Sequence, residues 1–183
     1  LLCKKKFARY IEKSVFPWLQ GLPHMHYVTA LATALNRALK PEFKVRAKQV
    51  MDNSKALAEE LMNLWAKLIT DGTDNHMIVM NTIESFWINW TVAEKALETV
   101  WIAVNKQVIP DDPNPPLNPS GIRLWSPAAT SRGLNEEDMK KTSHCIVEAL
   151  KNHDNNEKLK EIEEDVLSYF SQFPVPSLER MKN

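Results

Sequence analysis

Apolar residues recur every three or four positions in several stretches of the chain, which is the spacing of one buried face of a helix. The longest such stretch, 41–64, begins with Pro41, a residue favoured at the first position of a helix. The pattern predicts helices at about 4–13, 27–39, 41–64, 91–100, 135–153 and 155–173.

Short apolar runs of a different kind lie between these helices. They predict strands at 66–70 and 76–80, on either side of the turn-rich "DGTDN", and at 102–109 and 122–125. The segment 110–121 holds five prolines and is expected to be an extended loop. The order of elements predicts an α+β or α/β arrangement, with helices on one face of a small sheet.

One short connection has an unusual composition. "SFWINW", residues 85–90, joins the strand at 76–80 to the helix at 91–100, where Gly, Asn or Pro is expected. It carries Trp87 and Trp90 instead. The whole chain has four glycines and six tryptophans, although glycine is about 7% of an average protein.

Charge and composition exclude several function classes. Lys+Arg and Asp+Glu both number 23, so the chain lacks the basic surplus of a nucleic-acid binder. No apolar run reaches the roughly 20 residues of a membrane helix, so no membrane partner is predicted. Cys3 and Cys145 form no CxxC pair, and a reducing cytoplasm is the default expectation. Because the chain starts with Leu1 and has no signal pattern, we expect it to begin inside a longer protein.

The residues themselves offer few candidates for chemistry. Arg123 follows the proline-rich loop and Gly121, and a guanidinium held there could bind a carboxylate through two parallel hydrogen bonds. A plain surface arginine is the alternative, and spacing alone favours it. Gly21, in "LQGLPHMH", lies either in a phosphate-binding turn or in an ordinary one. His24 and His26 have no third ligand nearby, so no metal site is predicted.

Several longer blocks resemble the C-terminal half of serine hydroxymethyltransferase, in order and spacing. They are "VFPWLQGLPHMH", "PEFK", "QVMDNSKALAEEL", "DGTDNHMIVM", "IAVNKQVIPDDP" and "SGIRLWSPAATSRGLNEEDM". The resemblance covers nearly the whole chain. It implies a fold-type-I enzyme, with residues 1–40 ending the large cofactor domain and residues 41–183 forming the small C-terminal domain.

The resemblance also implies an activity. Members of this family interconvert serine and glycine with pyridoxal 5'-phosphate as cofactor and tetrahydrofolate as co-substrate, and they act as cytoplasmic homodimers or tetramers. Their cofactor-binding lysine lies just upstream of the part that resembles "LLCKKKFA". We therefore expect this chain to be inactive by itself.

Three parts of the family's site fall on residues of this sequence. Arg123, in "SGIR", matches the arginine that binds the substrate carboxylate. Gly21 and Leu22 match the "QGGP" turn at the cofactor phosphate of the neighbouring subunit, with Leu22 in place of the second glycine. Gln107 matches an asparagine that contacts the pterin. The residues that match a loop near the folate site, where the family often has Ser-Pro-Phe, are Pro115, Pro116 and Leu117.

Two alternatives stay open. One is an aldolase of the same fold that cleaves β-hydroxy amino acids without folate, against which the proline-rich loop argues. The other is a truncated, non-catalytic homologue that pairs with a full-length subunit as a binding module. The missing initiator Met favours an incomplete gene over a naturally short protein.

The resemblance suggests a reason for the many tryptophans. All six stand where family members typically have glycine: Trp18, Trp65, Trp87, Trp90, Trp101 and Trp125. Our hypothesis is that the gene comes from a lineage that reads UGA as glycine and that the translation read UGA as tryptophan. The protein would then have ten glycines and no tryptophan.

Overall fold

The computed structural model describes residues 2–21 and 23–175. The chain divides into two compact units, residues 1–44 and residues 45–183. The division falls inside one long helix, four residues after its start at Pro41. That position is close to the boundary at 40/41 expected from the sequence, and the assignment of the two parts to a large and a small domain stays a prediction.

The first unit is helical. It contains α1, Lys5–Lys13, a kinked π-type turn at Ser14–Leu19, and α2, Met25–Ala38. None of these elements has a buried residue, and α2 exposes apolar side chains such as Leu31 and Leu35. The unit therefore has no core of its own among its described residues.

The second unit contains most of the regular structure. Its helices are α3 (Pro41–Asn63, which starts in the first unit), α4 (Thr82–Phe86), α5 (Trp90–Thr99), α6 (Pro127–Ser131), α7 (Glu136–Lys151) and α8 (Asn156–Phe170). Its strands are β1 (Lys67–Leu68), β2 (Met77–Asn81), β3 (Asn105–Gln107) and β4 (Gly121–Trp125).

The four strands form one antiparallel sheet in the order β1-β2-β4-β3. Alternate residues point to opposite faces of a strand. Ile78, Met80, Ile122 and Leu124 are buried on one face and belong to the main core, together with residues of α3, α5, α7 and α8. The expected mixed α and β architecture, with a small sheet covered by helices, is confirmed.

Asn53 joins the long helix to the C-terminal part of the unit. Its fully buried amide donates to the hydroxyl of Thr130 at 2.9 Å and to the carbonyl of Leu134 at 2.8 Å, and it accepts a hydrogen bond from Gln49. Ser126 adds a bond from its hydroxyl to the carbonyl of Val50 at 2.8 Å. Buried polar groups need such partners, so this network fixes α3 against α6.

The two short helices α4 and α6 were not predicted from the sequence. Each has five residues, too few for a helical repeat of apolar positions to appear. The α4 helix starts because Asn81 caps it, accepting hydrogen bonds from the N–H groups of Ile83 and Glu84. The stretch 85–90 is therefore the end of α4, a left-handed residue at Trp87, and the start of α5 at Trp90.

Gly121 lies where β4 closely approaches the end of β3. A Cβ atom at this residue would lie 2.7 Å from the carbonyl oxygen of Gln107 and 2.7 Å from a methyl group of Ile109. Real side chains do not tolerate such distances, so the pairing of β3 with β4 requires glycine here.

We predict that Gly121→Ala destabilises the protein, because the added methyl group would force β3 and β4 apart. The expected loss is about 1–3 kcal/mol in the free energy of unfolding, measured with denaturant on the intact protein. Gly21→Ala is the matched control, since a Cβ at Gly21 meets no atom within 4 Å. Equal stability of the two variants would contradict the close-approach argument.

Candidate functional site

Arg123 occupies the middle of β4, the strand that lies between β2 and β3. It pairs with Val79 on one side and with Asn105 on the other. Because its neighbours Ile122 and Leu124 point into the core, the Arg123 side chain lies on the opposite face of the sheet. The strand pairing on both sides makes this a rigid position for a guanidinium group.

The guanidinium of Arg123 is poorly satisfied. Its Nε atom is buried and has no hydrogen-bond partner among the described residues. The Cζ atom of the guanidinium lies over the indole of Trp125, 4.9 Å from the ring centroid. The ring of His76 meets the same indole edge-on, with 5.2 Å between the ring centroids. A buried donor without a partner costs free energy, so this arginine is suited to bind an acceptor from outside the described chain.

Gln107 lies on the same face of the sheet as Arg123. It pairs with Gly121 across β3 and β4, two residues along the strand from the Arg123–Asn105 pair. At present its amide donates to the carbonyl of Val108 at 2.9 Å. The sheet therefore brings together two of the residues that the resemblance singled out.

The proline-rich loop between β3 and β4 is organised around the carboxylate of Asp112. One oxygen accepts from the N–H groups of Ile109 (3.3 Å) and Ser120 (3.0 Å). The other accepts from the N–H of Asn114 at 3.0 Å and the hydroxyl of Ser120 at 2.6 Å. Both ends of the loop are thus tied to one side chain, directly before β4.

These bonds change the acidity of Asp112. Burial by itself would raise the pKa of its carboxyl. The hydrogen bonds from the hydroxyl and N–H of Ser120 and from the N–H groups of Asn114 and Ile109 outweigh burial and lower the pKa to about 2. The group is therefore an anion at neutral pH.

A second contact fixes the end of the loop to the start of α4. The carbonyl of Ser120 accepts hydrogen bonds from the N–H of Thr82 at 2.9 Å and from its hydroxyl at 3.0 Å. Both residues are buried. The loop is thus held at Asp112 and Ser120, while its middle reaches into solvent.

The middle of the loop contains the remaining residues with a proposed folate contact. Pro115, Pro116 and Leu117 are exposed, and Leu117 keeps 83% of its surface accessible. The segment turns through a hydrogen bond from the N–H of Asn118 to the carbonyl of Pro115 at 2.8 Å. The turn leaves an apolar tip available for a ligand.

Gly21 belongs to the first unit and is exposed. Apart from its chain neighbours, no atom lies within 4 Å of the position that its Cβ would occupy. Leu22, its partner in the expected phosphate-binding turn, lies outside the described residues. The structure thus joins Arg123, Gln107 and the loop in one unit and describes Gly21 in the other.

Asp112 and Ser120 were missed by the sequence reasoning. The signal was present, because Asp before Pro and Asn in "PDDPN" is typical of a side chain that accepts hydrogen bonds from the following backbone. What the sequence does not reveal is the hydrogen bond that the Ser120 hydroxyl donates to Asp112, eight residues away.

Together these observations define a class of protein: an α+β unit with an arginine on one face of a small sheet and an exposed loop between two of its strands. Comparison with known proteins identifies the family. The family model described as serine hydroxymethyltransferase matches residues 3–146. A serine hydroxymethyltransferase from Acidobacterium capsulatum is 41% identical over 175 residues, which cover 96% of this chain and 41% of that relative. The chain belongs to the serine hydroxymethyltransferase family, as the sequence motifs predicted.

The match covers nearly all of this chain but less than half of the relative. The chain spans about two fifths of the length of that curated relative. None of the helices in residues 2–21 and 23–175 is both long and apolar enough to cross a bilayer.

We predict that Asp112→Asn loosens the loop. The asparagine amide would keep one acceptor oxygen. Its NH₂ group would face N–H and O–H donors that bond to a carboxylate oxygen in the wild type. The expected loss is about 1–3 kcal/mol in the free energy of unfolding at pH 7, by denaturant titration. Asp111→Asn is the control, because Asp111 is exposed and makes none of these bonds. Equal effects of the two substitutions would refute the role of Asp112.

The loss of stability caused by Asp112→Asn should also depend on pH. The pKa of Asp112 is lowered to about 2 in the folded protein, whereas an unfolded aspartate titrates near 3.9. The carboxylate therefore stabilises the fold fully above roughly pH 4, and this contribution is lost as the pH falls through about 2. The stability difference between the wild type and Asp112→Asn should shrink over that window. A constant difference would contradict the lowered pKa.

Proposed function

We propose that this chain is part of an enzyme that interconverts serine and glycine and transfers a one-carbon unit to tetrahydrofolate, with pyridoxal 5'-phosphate as cofactor. Family membership supports the reaction class. The observation that carries the proposal in this chain is Arg123, whose buried Nε has no hydrogen-bond partner among the described residues and whose strand is paired on both sides. Its role is to bind the α-carboxylate of the amino acid.

The chemistry of a carboxylate fits this arginine. A carboxylate offers two oxygens that can accept two parallel N–H bonds from one guanidinium, and such charge-assisted bonds are stronger than neutral ones. The buried Nε of Arg123 would gain the acceptor that it lacks. Holding the carboxylate at two points fixes the orientation of the adjacent Cα bonds, which is how a positioning group lowers a reaction barrier.

The cofactor contact proposed for this chain is the backbone at Gly21 and Leu22. The open space around Gly21 fits the approach of a phosphate group, which backbone N–H groups bind well. When bound, pyridoxal phosphate withdraws electrons from the carbon whose bond is broken. The chain's own contribution would be to bind the phosphate group of the cofactor in a neighbouring subunit. A homodimer or tetramer is therefore part of the proposal.

The folate contact proposed for this chain combines Gln107 with the tip of the loop. The amide of Gln107 can both donate and accept a hydrogen bond, as the polar edge of a pterin requires. The exposed apolar tip formed by Pro115, Pro116 and Leu117 would cover the less polar part of the molecule. The anchor at Asp112 would keep this tip in place without touching the ligand. We place the enzyme in the cytoplasm, by analogy with the family.

We predict that Arg123→Lys in the intact enzyme raises the KM for serine strongly, about tenfold or more, while pyridoxal phosphate stays bound. A lysine provides one point charge where the guanidinium provides two parallel donors. Steady-state kinetics measures KM, and the cofactor's visible absorption reports its occupancy. An unchanged KM would remove Arg123 from the carboxylate site.

Arg46→Lys is the control for this experiment. Arg46 is exposed on α3, and its one hydrogen bond within the described part of the chain goes to the hydroxyl of Ser131. Its substitution should leave KM within twofold. A tenfold rise in this control would show that the kinetics respond to arginine loss in general.

We predict that Gln107→Ala weakens folate binding several-fold and leaves the KM for serine unchanged, because the amide faces the folate and not the amino acid. Titration with a reduced folate, followed by fluorescence or calorimetry, measures the effect. Asn105→Ala is the matched control on the same face of β3. A larger effect of the control than of Gln107→Ala would argue against this assignment.

A further inference from the structure

Three helices of the second unit end in the same backbone motif. In a Schellman motif the chain turns through a left-handed residue, and the N–H groups of that residue and the next one bond back to the last turn of the helix. After α6, Gly133 donates to Thr130 at 3.0 Å and Leu134 donates to Ala129 at 3.2 Å. The left-handed residue here is glycine, with φ at +99°.

The ends of α3 and α5 repeat this pattern of bonds with a tryptophan at the left-handed position. After α3, Trp65 donates to Met62 and Ala66 donates to Leu61, both at 2.9 Å. After α5, the N–H of Trp101 lies 3.0 Å from the carbonyl of Glu98. The N–H of the next residue lies 2.9 Å from the carbonyl of Leu97.

A third tryptophan ends α4 in the simpler left-handed motif. The N–H of Trp87 donates to the carbonyl of Ile83 at 2.9 Å. The φ angles of Trp65, Trp87 and Trp101 are +72°, +60° and +61°. This region is open to glycine, whereas in any L-residue the Cβ comes too close to the carbonyl oxygen, and bulky residues are outliers there.

The indole rings do not compensate for the strained backbone. Trp65, Trp87 and Trp101 keep 86%, 89% and 69% of their surface exposed, so little apolar area leaves water. The indole N–H of Trp101 donates one hydrogen bond, to the carboxylate of Glu163 at the surface. Three large side chains are thus exposed to solvent, and the backbone conformation at each of them is unfavourable for a residue with a side chain.

The other non-glycine residues with positive φ differ in kind. Asp71 and Asp111 are aspartates, which adopt this conformation more readily than most residues. Thr70 lies in the short 3₁₀ turn Ile69–Asp71, outside any α-helix end. Among the described residues, the left-handed positions that end α-helices are thus occupied by Gly133 and by tryptophans.

We propose that the protein made in its own cell carries glycine at positions 65, 87 and 101. The backbone at each is built for a residue without Cβ, and Gly133 shows which residue this chain uses in the same motif. A UGA codon that the cell reads as glycine and the translation reads as tryptophan accounts for all three. The proposal stands on backbone geometry and does not depend on the proposed function.

Position 125 gives the same substitution a consequence for the candidate site. The indole of Trp125 covers the guanidinium of Arg123 on the shared face of β4. Glycine at this position would leave the guanidinium open to a ligand. This consequence, unlike the proposal at the helix ends, rests on the carboxylate role of Arg123.

The direct test is peptide mass spectrometry on protein isolated from the source cells, with the gene sequenced alongside. We expect UGA at codons 65, 87 and 101 and peptides with glycine at all three positions. Peptides with tryptophan there would overturn the proposal. The same spectra also identify the residues at positions 18, 90 and 125. At each of these positions we expect glycine if the codon is UGA and tryptophan if the codon is UGG.

A second test uses the intact protein made from a gene with defined codons, and compares Trp→Gly with Trp→Ala at 65, 87 and 101. Glycine removes the left-handed strain and alanine keeps it, so each glycine should raise the melting temperature above that of the alanine variant. The expected rise is roughly 2–4 °C per position for a chain of this size. Equal melting temperatures at all three positions would overturn the argument from strain.

A third test introduces Trp125→Gly into the intact enzyme that already has glycine at 65, 87 and 101, and compares it with the same enzyme that keeps Trp125. The Trp125→Gly substitution should lower the KM for serine about tenfold and leave cofactor binding unchanged. An unchanged KM would refute the consequence at Arg123 and would leave the result of the mass spectrometry to decide the helix ends. The two inferences thus fail separately.

Discussion

The main-chain contact between Gly121 and the end of β3 is the constraint on which the candidate site depends. Because Gly121 lacks a side chain, β4 can lie close enough to β3 to pair with it while it also pairs with β2. The position of Arg123 follows from that pairing. The Asp112 network then fixes the loop that leads into Gly121, so the strand and the loop form one rigid piece.

A second constraint acts where helices end. At the left-handed positions the chain reverses sharply, and the next residue enters or borders the core. Ala66, Ile88 and Leu134 are buried directly after residues 65, 87 and 133, and Ile102 packs against the core after residue 101. Such an apolar contact after a left-handed residue is a regular part of this kind of helix ending. These helix ends therefore stop the helices and also place the following apolar residues in or against the core.

Long amphipathic patterns predicted the elements that are long enough to repeat. The helix expected at 41–64 is α3, and the helices expected at 135–153 and 155–173 are α7 and α8 with ends shifted by a few residues. The strand expected at 102–109 proved to be only Asn105–Gln107. Its outer residues look like strand because Val104 and Ile109 are apolar, but only the residues opposite β4 find pairing partners.

The candidate site shows the same division between local and distant information. "SGIR" predicted an arginine on a strand after a loop, and the structure has Arg123 there on β4. The face on which it lies together with Gln107 depends on the register of β3 with β4, which no local pattern specifies. The bond between Asp112 and Ser120 also depends on the closure of the loop.

The sequence by itself determined the family and the mixed α and β class, because specific sequence blocks and repeating apolar positions can be recognised without a structure. It also predicted residues for the expected chemistry, and their roles stay proposals. Only the tertiary structure decided which backbone positions are left-handed, which donors are buried without a partner, and which side chains share a face. These properties arise from contacts between residues far apart in the chain, such as Asn53 with Leu134 or Gly121 with Gln107. A one-dimensional pattern contains no record of such distances.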